Sequence, residues 1–140
     1  MSPHCIFCQI AASQAPAHKV CEDEHTLAFM DIFPVTDGHV LIVTREHFEN
    51  VFEASEAALT AVAATARRVA LAIRETLAPD GLAVAQLNGA AAGQSVFHYH
   101  MHLMPRADGE PLALHTRVPG RPERLQEIAA RLGRALASVR

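Results

Sequence analysis

The sequence predicts an α+β domain in which an antiparallel sheet of about five strands carries one long helix and a C-terminal helix. Short apolar runs rich in β-branched residues are separated by Pro and Gly turn signals. The apolar period then changes to 3.6 over residues 55–77 and again after Pro122. Antiparallel strands with helices packed on them make an α+β fold. At 140 residues the chain fits a single domain, so we expect residues 1–140 to form one.

The first strands form a hairpin. The segments "TLAFMDI" (26–32) and "HVLIVT" (39–44) are apolar and β-rich, and "FPVTDG" between them contains a proline and an Asp-Gly dipeptide that signal a turn. The segment "KVCED" (19–23) is predicted as a short strand before the hairpin.

The long helix is predicted from Ser55, a suitable N-cap, to Leu77, with Pro79-Asp80-Gly81 ending it. Its apolar stripe contains Leu59, Val62, Ala66, Val69, Ile73 and Leu77.

The second half of the chain contains two further strands and a helix. Residues 82–87 ("LAVAQL") read as a strand that leads into the small-residue loop 88–95 ("NGAAAGQS"), and a histidine-rich strand follows. Residues 107–140 are predicted as a polar loop and a final helix that starts at Pro122, because proline is favoured at the first helical position. The apolar face of this helix contains Leu125, Ile128, Leu132 and Leu136.

Composition excludes several functional classes. The net charge of −3 gives no broad basic surface for nucleic acid. No apolar run reaches the ~18 residues that cross a bilayer, and the first residues lack a secretory signal pattern. Three cysteines are an odd set, which argues against a disulfide framework. We therefore expect a cytoplasmic protein that binds neither nucleic acid nor membrane.

The stretch "HYHMHLMPR" (98–106) places three histidines at intervals of two. On a strand, alternate side chains share a face, so His98, His100 and His102 are expected on a wet side and three apolar side chains on a packed side. Solvated histidines on an ordinary strand are one interpretation, and a shared metal is another. The first and third positions lie ~13 Å apart at about 3.3 Å per residue, too far for one ion with bonds of about 2 Å. We favour an interpretation in which different histidines of the three serve different sites.

The dipeptide-spaced cysteines in "CIFC" have two chemical interpretations. A thioredoxin-type redox pair sits inside a βαβ pattern, and no strand precedes Cys5. Zinc binds two thiolates and two imidazoles in a closed tetrahedron. Cys5 and Cys8 supply the thiolates, and His47 and His98 are available imidazoles.

His100 is the candidate for covalent chemistry, because a neutral imidazole is a nucleophile toward phosphorus. His102 would reach the same face and hold phosphate oxygens or relay a proton. Amides at Gly93, Gln94 and Ser95, with the Ser95 hydroxyl, are candidates to cradle oxyanions. Structural turns of this composition are at least as common as anion-binding loops. The loop is stronger evidence for an anion site only because it directly precedes the histidines.

Three segments together resemble the histidine-triad (HIT) family. "GQSVFHYHMHLMPR" resembles the family signature of His-x-His-x-His followed by two apolar residues, and "AFMDIFPVTDGHVLIVTREH" resembles its hairpin segment. With "CIFCQI", the match covers residues 5–106, whereas residues 107–140 carry no matching motif. The resemblance implies a HIT-like fold and the bacterial-type branch of the family.

The resemblance implies a nucleotide hydrolase or nucleotidyl transferase that acts at the α-phosphate of nucleoside phosphate conjugates. His100 matches the nucleophile that forms a nucleotidyl-histidine, which water cleaves to a nucleoside monophosphate. The carbonyl of His98 would orient His100. His102 and Ser95 would contact the phosphate and leaving group, and His39 matches a histidine that supports the site.

Binding residues are also implied by the resemblance. Asp31 matches the carboxylate that accepts hydrogen bonds from the ribose, and a purine, with adenine favoured, would lie among Phe7, Ile10, Ile32 and Leu41. Family members usually pair as homodimers edge to edge. One branch holds structural zinc, and the matching ligands here are Cys5, Cys8, His47 and His98. No catalytic cofactor is expected.

Several alternatives remain open at this stage. The substrates implied are either phosphoramidates and related monophosphate conjugates or dinucleoside polyphosphates. A nucleotide sensor or scaffold without turnover, and a zinc-dependent hydrolase, are rivals from other classes. Leu87 stands where many members carry Asn, so Gln86 or Asn88 is expected to supply that amide, and Thr44 stands where proline is common. If His98 turns toward zinc, the chain must bend near it.

Overall fold

The computed structural model describes residues 2–139, which form one sheet and three α-helices. In chain order the elements are α1 (Ile6–Ala11), β1 (Lys19–Glu22), β2 (Thr26–Met30), β3 (Val40–Thr44), α2 (Glu56–Leu77), β4 (Gly81–Ala85), a 3₁₀ turn (Ala90–Ala92), β5 (His100–Arg106) and α3 (Pro122–Leu136).

The sheet confirms the predicted fold class. Its five strands run in the order β1-β2-β3-β5-β4, and every neighbouring pair is antiparallel. The predicted hairpin is β2–β3, in which Met30 pairs with Val40 and Thr26 with Thr44. Both central strands, β3 and β5, therefore lie beside each other although more than fifty residues separate them in sequence.

The two faces of the sheet bury different sets of side chains. One face packs against α2 and α3 and includes Ala28, Met30, Val40, Ile42 and Leu103. The opposite face packs against α1 and includes Leu27, Phe29, Leu41 and Val43. This alternation is the period-2 pattern of a strand that is buried on both sides. All five residues of β2 and of β3 are buried as a result.

The predicted helices are confirmed with small changes at their ends. Ser55 caps α2, since its side chain accepts a hydrogen bond from the Ala58 amide at 3.1 Å. The helix ends at Ala78, which adopts a left-handed conformation. α3 begins at Pro122 as expected. Within the described residues, no helix is both long enough and apolar enough to span a membrane.

The histidine strand starts later than strict alternation predicts, and the chain bends at His98, as a turn of His98 toward zinc would require. β5 begins at His100, while His98 lies in a bend before the strand. Tyr99 and Leu103 join the core on the α2 face, as the alternation predicts. His100 and His102 are only 6 % exposed, so the expected wet side is instead covered by α1 and by the chain after β5.

Candidate active site and metal centre

A cavity of about 500 Å³ opens on the α1 face of the sheet. Its walls include these predicted site residues: Phe7, Ile10, Asp31, Ile32, Leu41, Ser95, His100 and His102. Gly93, Gln94 and His39 are absent from the cavity walls among the described residues. The hairpin end brings two of the predicted residues together, because the Asp31 amide donates to the His39 carbonyl at 3.0 Å.

His100 is held by the backbone of the bend. Its Nδ1 lies 2.6 Å from the His98 carbonyl oxygen. A carbonyl only accepts, so Nδ1 carries the proton and Nε2 keeps its lone pair. Burial lowers the pKa of His100, which favours the neutral ring. The ring at the cavity wall therefore keeps an unprotonated Nε2, and a nitrogen of this kind is chemically able to act as a nucleophile.

His102 has the opposite tautomer, and a buried relay of hydrogen bonds sets it. The Val35 amide donates to Nδ1 of His39 at 3.1 Å, so His39 carries its proton on Nε2. That nitrogen lies 2.9 Å from Nδ1 of His102 and donates to it. His102 consequently presents an Nε2–H donor. Burial lowers the pKa of His39 to about 4 and that of His102 to about 3, so both rings are neutral.

Asp31 lies at the polar edge of the cavity. Its Oδ1 accepts from the Phe33 amide at 2.8 Å, and its Oδ2 lies 3.4 Å from Nε2 of His39. Burial raises the pKa of this carboxyl. Its free lone pairs face a cavity whose other walls are mostly apolar, so a hydroxyl-bearing ligand would find its acceptor here.

The apolar part of the cavity is built by α1, β2 and β3. Phe7 contacts Phe29 edge to face, with ring centroids 5.4 Å apart, and it contacts His100 in the same manner at 5.1 Å. Leu41 and Ile10 belong to the same packed cluster. The pocket therefore joins an apolar region directly to the histidine pair.

The loop before the histidines corrects part of the prediction. The Gly93 amide donates to the Ala90 carbonyl at 3.0 Å, and the Gln94 amide donates to the Gly89 carbonyl at 3.0 Å. Neither amide is available to an oxyanion in this conformation. The Gln94 side chain is also occupied, since it accepts from the Gly89 amide and donates to the Glu49 carbonyl. These two residues shape the loop, whereas Ser95 is exposed on the cavity wall.

The expected replacement for the usual loop amide is also not found in the cavity. The side chains of Gln86 and Asn88 bond to each other at 2.8 and 2.6 Å, and Asn88 additionally accepts from the Val51 amide. Neither residue lines the cavity within the described chain. Leu87 packs against the loop, because its Cδ1 lies 3.4 Å from the point where a Cβ added to Gly93 would stand.

A second cluster lies behind the bend, where four ligand atoms come within 4.8 Å of one another; its members are Cys5, Cys8, His47 and His98. Cys5 Sγ lies 3.3 Å from Nδ1 of His98, and Cys8 Sγ lies 3.3 Å from Nδ1 of His47. With zinc bonds of about 2.3 Å to sulfur and about 2.0 Å to nitrogen, the S···N edge of a tetrahedron is roughly 3.5 Å. The donor set and its spacing therefore fit a closed zinc site.

The chain around this cluster fixes its ligands. Cys5 caps the six-residue helix α1, so that Cys8 lies one turn further on. His98 Nε2 donates to the Thr44 carbonyl at 2.6 Å, which leaves Nδ1 free for a cation. Burial lowers the pKa of His98 to about 4. Thr44, at the position where proline is common, uses its hydroxyl to hold the Glu46 carbonyl at 2.7 Å.

Among the described cavity residues that were not predicted from the sequence, one is titratable. His115, with its neighbours Leu114 and Thr116, lines the cavity from the chain after β5. Its ring centroid lies 6.4 Å from that of His102. No spacing or motif linked this isolated histidine to the other three, so the sequence offered no signal for it.

Comparison with known proteins identifies the family of this chain. The family model described as HIT domain matches residues 12–109. "Protein hit" of Bacillus subtilis is 44% identical over 139 residues, which cover 96% of each chain.

Two solved structures are also similar. A Zn-bound histidine triad family protein from Mycobacterium smegmatis is 37% identical, with a TM-score of 0.85 over 96% of this chain and 94% of its own. A HIT family hydrolase from Clostridium thermocellum is 34% identical, with a TM-score of 0.69 over 81% of this chain and 100% of its own. The chain described here belongs to the HIT family.

Proposed function

We propose that this protein is a nucleotide hydrolase that cleaves nucleoside phosphate conjugates through a covalent intermediate on His100. The observation that carries the proposal is the 2.6 Å hydrogen bond from His100 Nδ1 to the His98 carbonyl, which leaves the Nε2 lone pair toward the cavity. The similarity to a HIT family hydrolase supports the reaction class.

The proposed reaction has two displacements at phosphorus. His100 Nε2 attacks the α-phosphorus, and a bond forms between this nitrogen and phosphorus. The bond between phosphorus and the leaving group breaks, and the leaving group departs with the electron pair and takes up a proton from water. Water then attacks the same phosphorus and loses a proton to solvent. The bond between phosphorus and His100 Nε2 breaks, which releases the nucleoside monophosphate. The His98 carbonyl stabilises the positive imidazolium that exists in between.

The remaining cavity residues bind the substrate in this proposal. The Nε2–H of His102 and the hydroxyl of Ser95 donate to phosphate oxygens, and His39 holds His102 in the donating tautomer. Asp31 accepts from the ribose hydroxyls. The purine, with adenine favoured, lies in the apolar region, whose aromatic and aliphatic walls suit a flat base.

Monophosphate conjugates are the favoured substrate class. The described walls of the cavity contain no lysine or arginine, so a polyphosphate leaving group would enter without a compensating cation. A phosphoramidate carries less charge. Competition between adenosine 5′-phosphoramidate and diadenosine tetraphosphate in one reaction tests this choice; preferential consumption of the tetraphosphate would contradict it.

We propose that the four-ligand cluster holds a structural zinc ion. The S···N distances support it, as does the Zn-bound relative. When bound, zinc would stabilise thiolates and fix the bend, and no reaction step passes through it. None of the three described cysteines forms a disulfide, which supports a reducing compartment such as the cytoplasm.

We also propose that the protein is a single-domain homodimer. α3 packs in the same core as α2 and the sheet, which supports one domain across residues 1–140. β4 is an edge strand whose Val84 is 56% exposed. An apolar unpaired edge favours pairing with a second copy.

The proposal is tested with His100→Ala. We expect release of nucleoside monophosphate to fall by at least about a thousandfold, because the nucleophile is gone, while circular dichroism stays that of the native fold. His25→Ala, the same substitution at a histidine whose side chain is 65% exposed, serves as the control. Intact mass measured on rapidly quenched wild-type protein should reveal the nucleotidyl adduct. Near-normal turnover of His100→Ala would overturn the proposal.

A further inference from the structure

The chain between β5 and α3, residues 107–121, forms part of the cavity wall. It contains neither helix nor strand. Its middle residues Leu114, His115 and Thr116 nevertheless line the cavity beside His100 and His102. We call residues 112–118 the strap. The strap lies in the region that carries none of the family's sequence motifs, so nothing in the motif assigns it a role.

The ends of this connection are fixed to the rest of the domain. The Gly120 amide donates to the Ile32 carbonyl at 2.8 Å, and a Cβ at Gly120 would stand 3.0 Å from Pro34. Before the strap, the Asp108 amide donates to Asp80 Oδ2 at 2.8 Å. Anchors on both sides set where the strap crosses the cavity, while most of its side chains remain exposed.

A bound phosphate would have few donors without the strap. The described cavity walls lack lysine and arginine, and the amides of Gly93 and Gln94 already donate to loop carbonyls. The hydroxyl and amide of Ser95 and the Nε2–H of His102 remain. Phosphate oxygens buried without enough donors lose more hydration than they regain in hydrogen bonds.

His115 lies where a further donor is needed. Its ring stands nearly perpendicular to that of His102, at 88° and 6.4 Å between centroids. Its Nε2 lies 3.2 Å from the point where a Cβ on Gly93 would stand, so the ring rests directly on the loop that leads to Ser95. The imidazole makes no hydrogen bond to another residue of the described chain, and any tautomer of it offers an N–H.

We propose that His115 binds the phosphate of a nucleoside 5′-monophosphate group and that the strap is the phosphate-covering wall of the site. This inference rests on the proposed nucleotide binding and adds a residue from outside the histidine triad. The ring then donates one hydrogen bond to a phosphate oxygen from the strap, beside His102.

The test compares the affinity of adenosine with that of adenosine 5′-monophosphate, both measured by calorimetry on the full chain. For His115→Ala we expect the monophosphate to bind roughly tenfold more weakly, the loss expected for one hydrogen bond to a charged oxygen. Adenosine, which lacks the phosphate, should change by less than about twofold. His115→Gln, which keeps an N–H donor, should recover part of the loss.

Leu112→Ala is the matched control, since Leu112 belongs to the strap but is 82% exposed and does not line the cavity. It should leave both affinities unchanged. An equal loss for adenosine and the monophosphate in His115→Ala, no loss for either, or the same loss in Leu112→Ala would overturn the inference.

The outcome can be separated from that of the proposed function. Wild-type protein that binds the monophosphate through His115 but hydrolyses no conjugate would overturn the hydrolase proposal and support this inference. Normal hydrolysis with no phosphate-specific effect of His115→Ala would support the hydrolase proposal and overturn this inference. Wild-type protein that binds the monophosphate no more tightly than adenosine would overturn the inference.

Discussion

His98 joins the two sites of the molecule, because its carbonyl oxygen lies 2.6 Å from Nδ1 of His100 while its own Nδ1 lies 3.3 Å from Cys5 Sγ. The peptide group that orients the proposed nucleophile therefore belongs to a residue of the candidate zinc cluster. A change that loosens the cluster is expected to reach His100 through its hydrogen bond to the His98 carbonyl. It is also expected to reach the cavity wall, because Cys8 lies on α1 between Phe7 and Ile10.

Cys8→Ser is expected to reduce both bound zinc and turnover. Serine is a poor zinc ligand, so zinc per chain after dialysis should fall by roughly tenfold or more, and the melting temperature should fall with it. Turnover should decline because the His98 carbonyl is no longer held. Elemental analysis, melting and product release measure the three effects. Cys21→Ser, at the free cysteine of β1, is the control. Full activity in zinc-free Cys8→Ser would contradict the coupling.

Gly93→Ala is expected to weaken nucleotide binding more than its effect on stability explains. Gly93 has φ of +98°, and an added Cβ would meet His115 Nε2 at 3.2 Å. Gly109→Ala provides the comparison, since Gly109 has φ of +83° and open space around it. Both variants should lose about 1 kcal/mol in the free energy of unfolding from backbone strain. Only Gly93→Ala should raise the Kd for adenosine 5′-monophosphate severalfold; parallel changes in the two variants would refute this.

His39→Asn is expected to reduce the loss of stability in acid. The folded pKa of His39, about 4, lies below the unfolded value of about 6.5, so the unfolded chain binds more protons at pH 5. The stability due to neutral burial is fully present above about pH 6.5 and is lost as the pH falls toward 4. Between pH 7 and pH 5 this one group contributes about 2 kcal/mol to the change.

Urea unfolding of wild type and His39→Asn at the two pH values measures that difference. His25→Asn, at an exposed histidine, should keep the wild-type pH dependence. If all three proteins lost the same free energy between pH 7 and pH 5, the neutral state of His39 would not be the cause.

Val84→Asp is expected to convert the proposed dimer to monomers. The side chain lies on the edge strand β4 and is 56% exposed, so a carboxylate there costs little in the monomer but repels its symmetry mate across a paired edge. Light scattering after size-exclusion chromatography gives the mass. Val118→Asp, at a residue of the strap that is 70% exposed, is the control. A dimer that survives Val84→Asp would locate the interface elsewhere.

The strands and long helices were predictable because their signals are local. The stripe of α2 and the alternation in β2 and β3 follow from which side chains the core buries. α1 was not predicted, because its six residues are too few for a clear period and its N-cap is the side chain of Cys5 rather than Ser, Thr, Asp or Asn.

The placement of a candidate site residue was predictable where the residue occupies a motif position, and was not predictable where tertiary contacts determine it. His100 and His102 share a face as the alternation requires, but His98 leaves the strand because its ring is bonded to Thr44 and the cysteines. The loop amides were expected to face a ligand, yet Gly89 and Ala90 supply closer acceptors. His115 enters the cavity only through the path of the chain after β5.

The register between the two central strands has a consequence for how this chain tolerates insertions. Leu41 pairs with His102 and Val43 with His100, so each histidine shares its face with a buried residue of the cluster on the α1 side. A single residue added within β3 would move the following side chains of that strand to the opposite face of the sheet. Side chains that now pack against α2, as Ile42 does, would then lie beside the imidazoles. Length changes should therefore accumulate in the turns of related proteins, and a designer who wishes to graft new segments should leave both central strands at their present length.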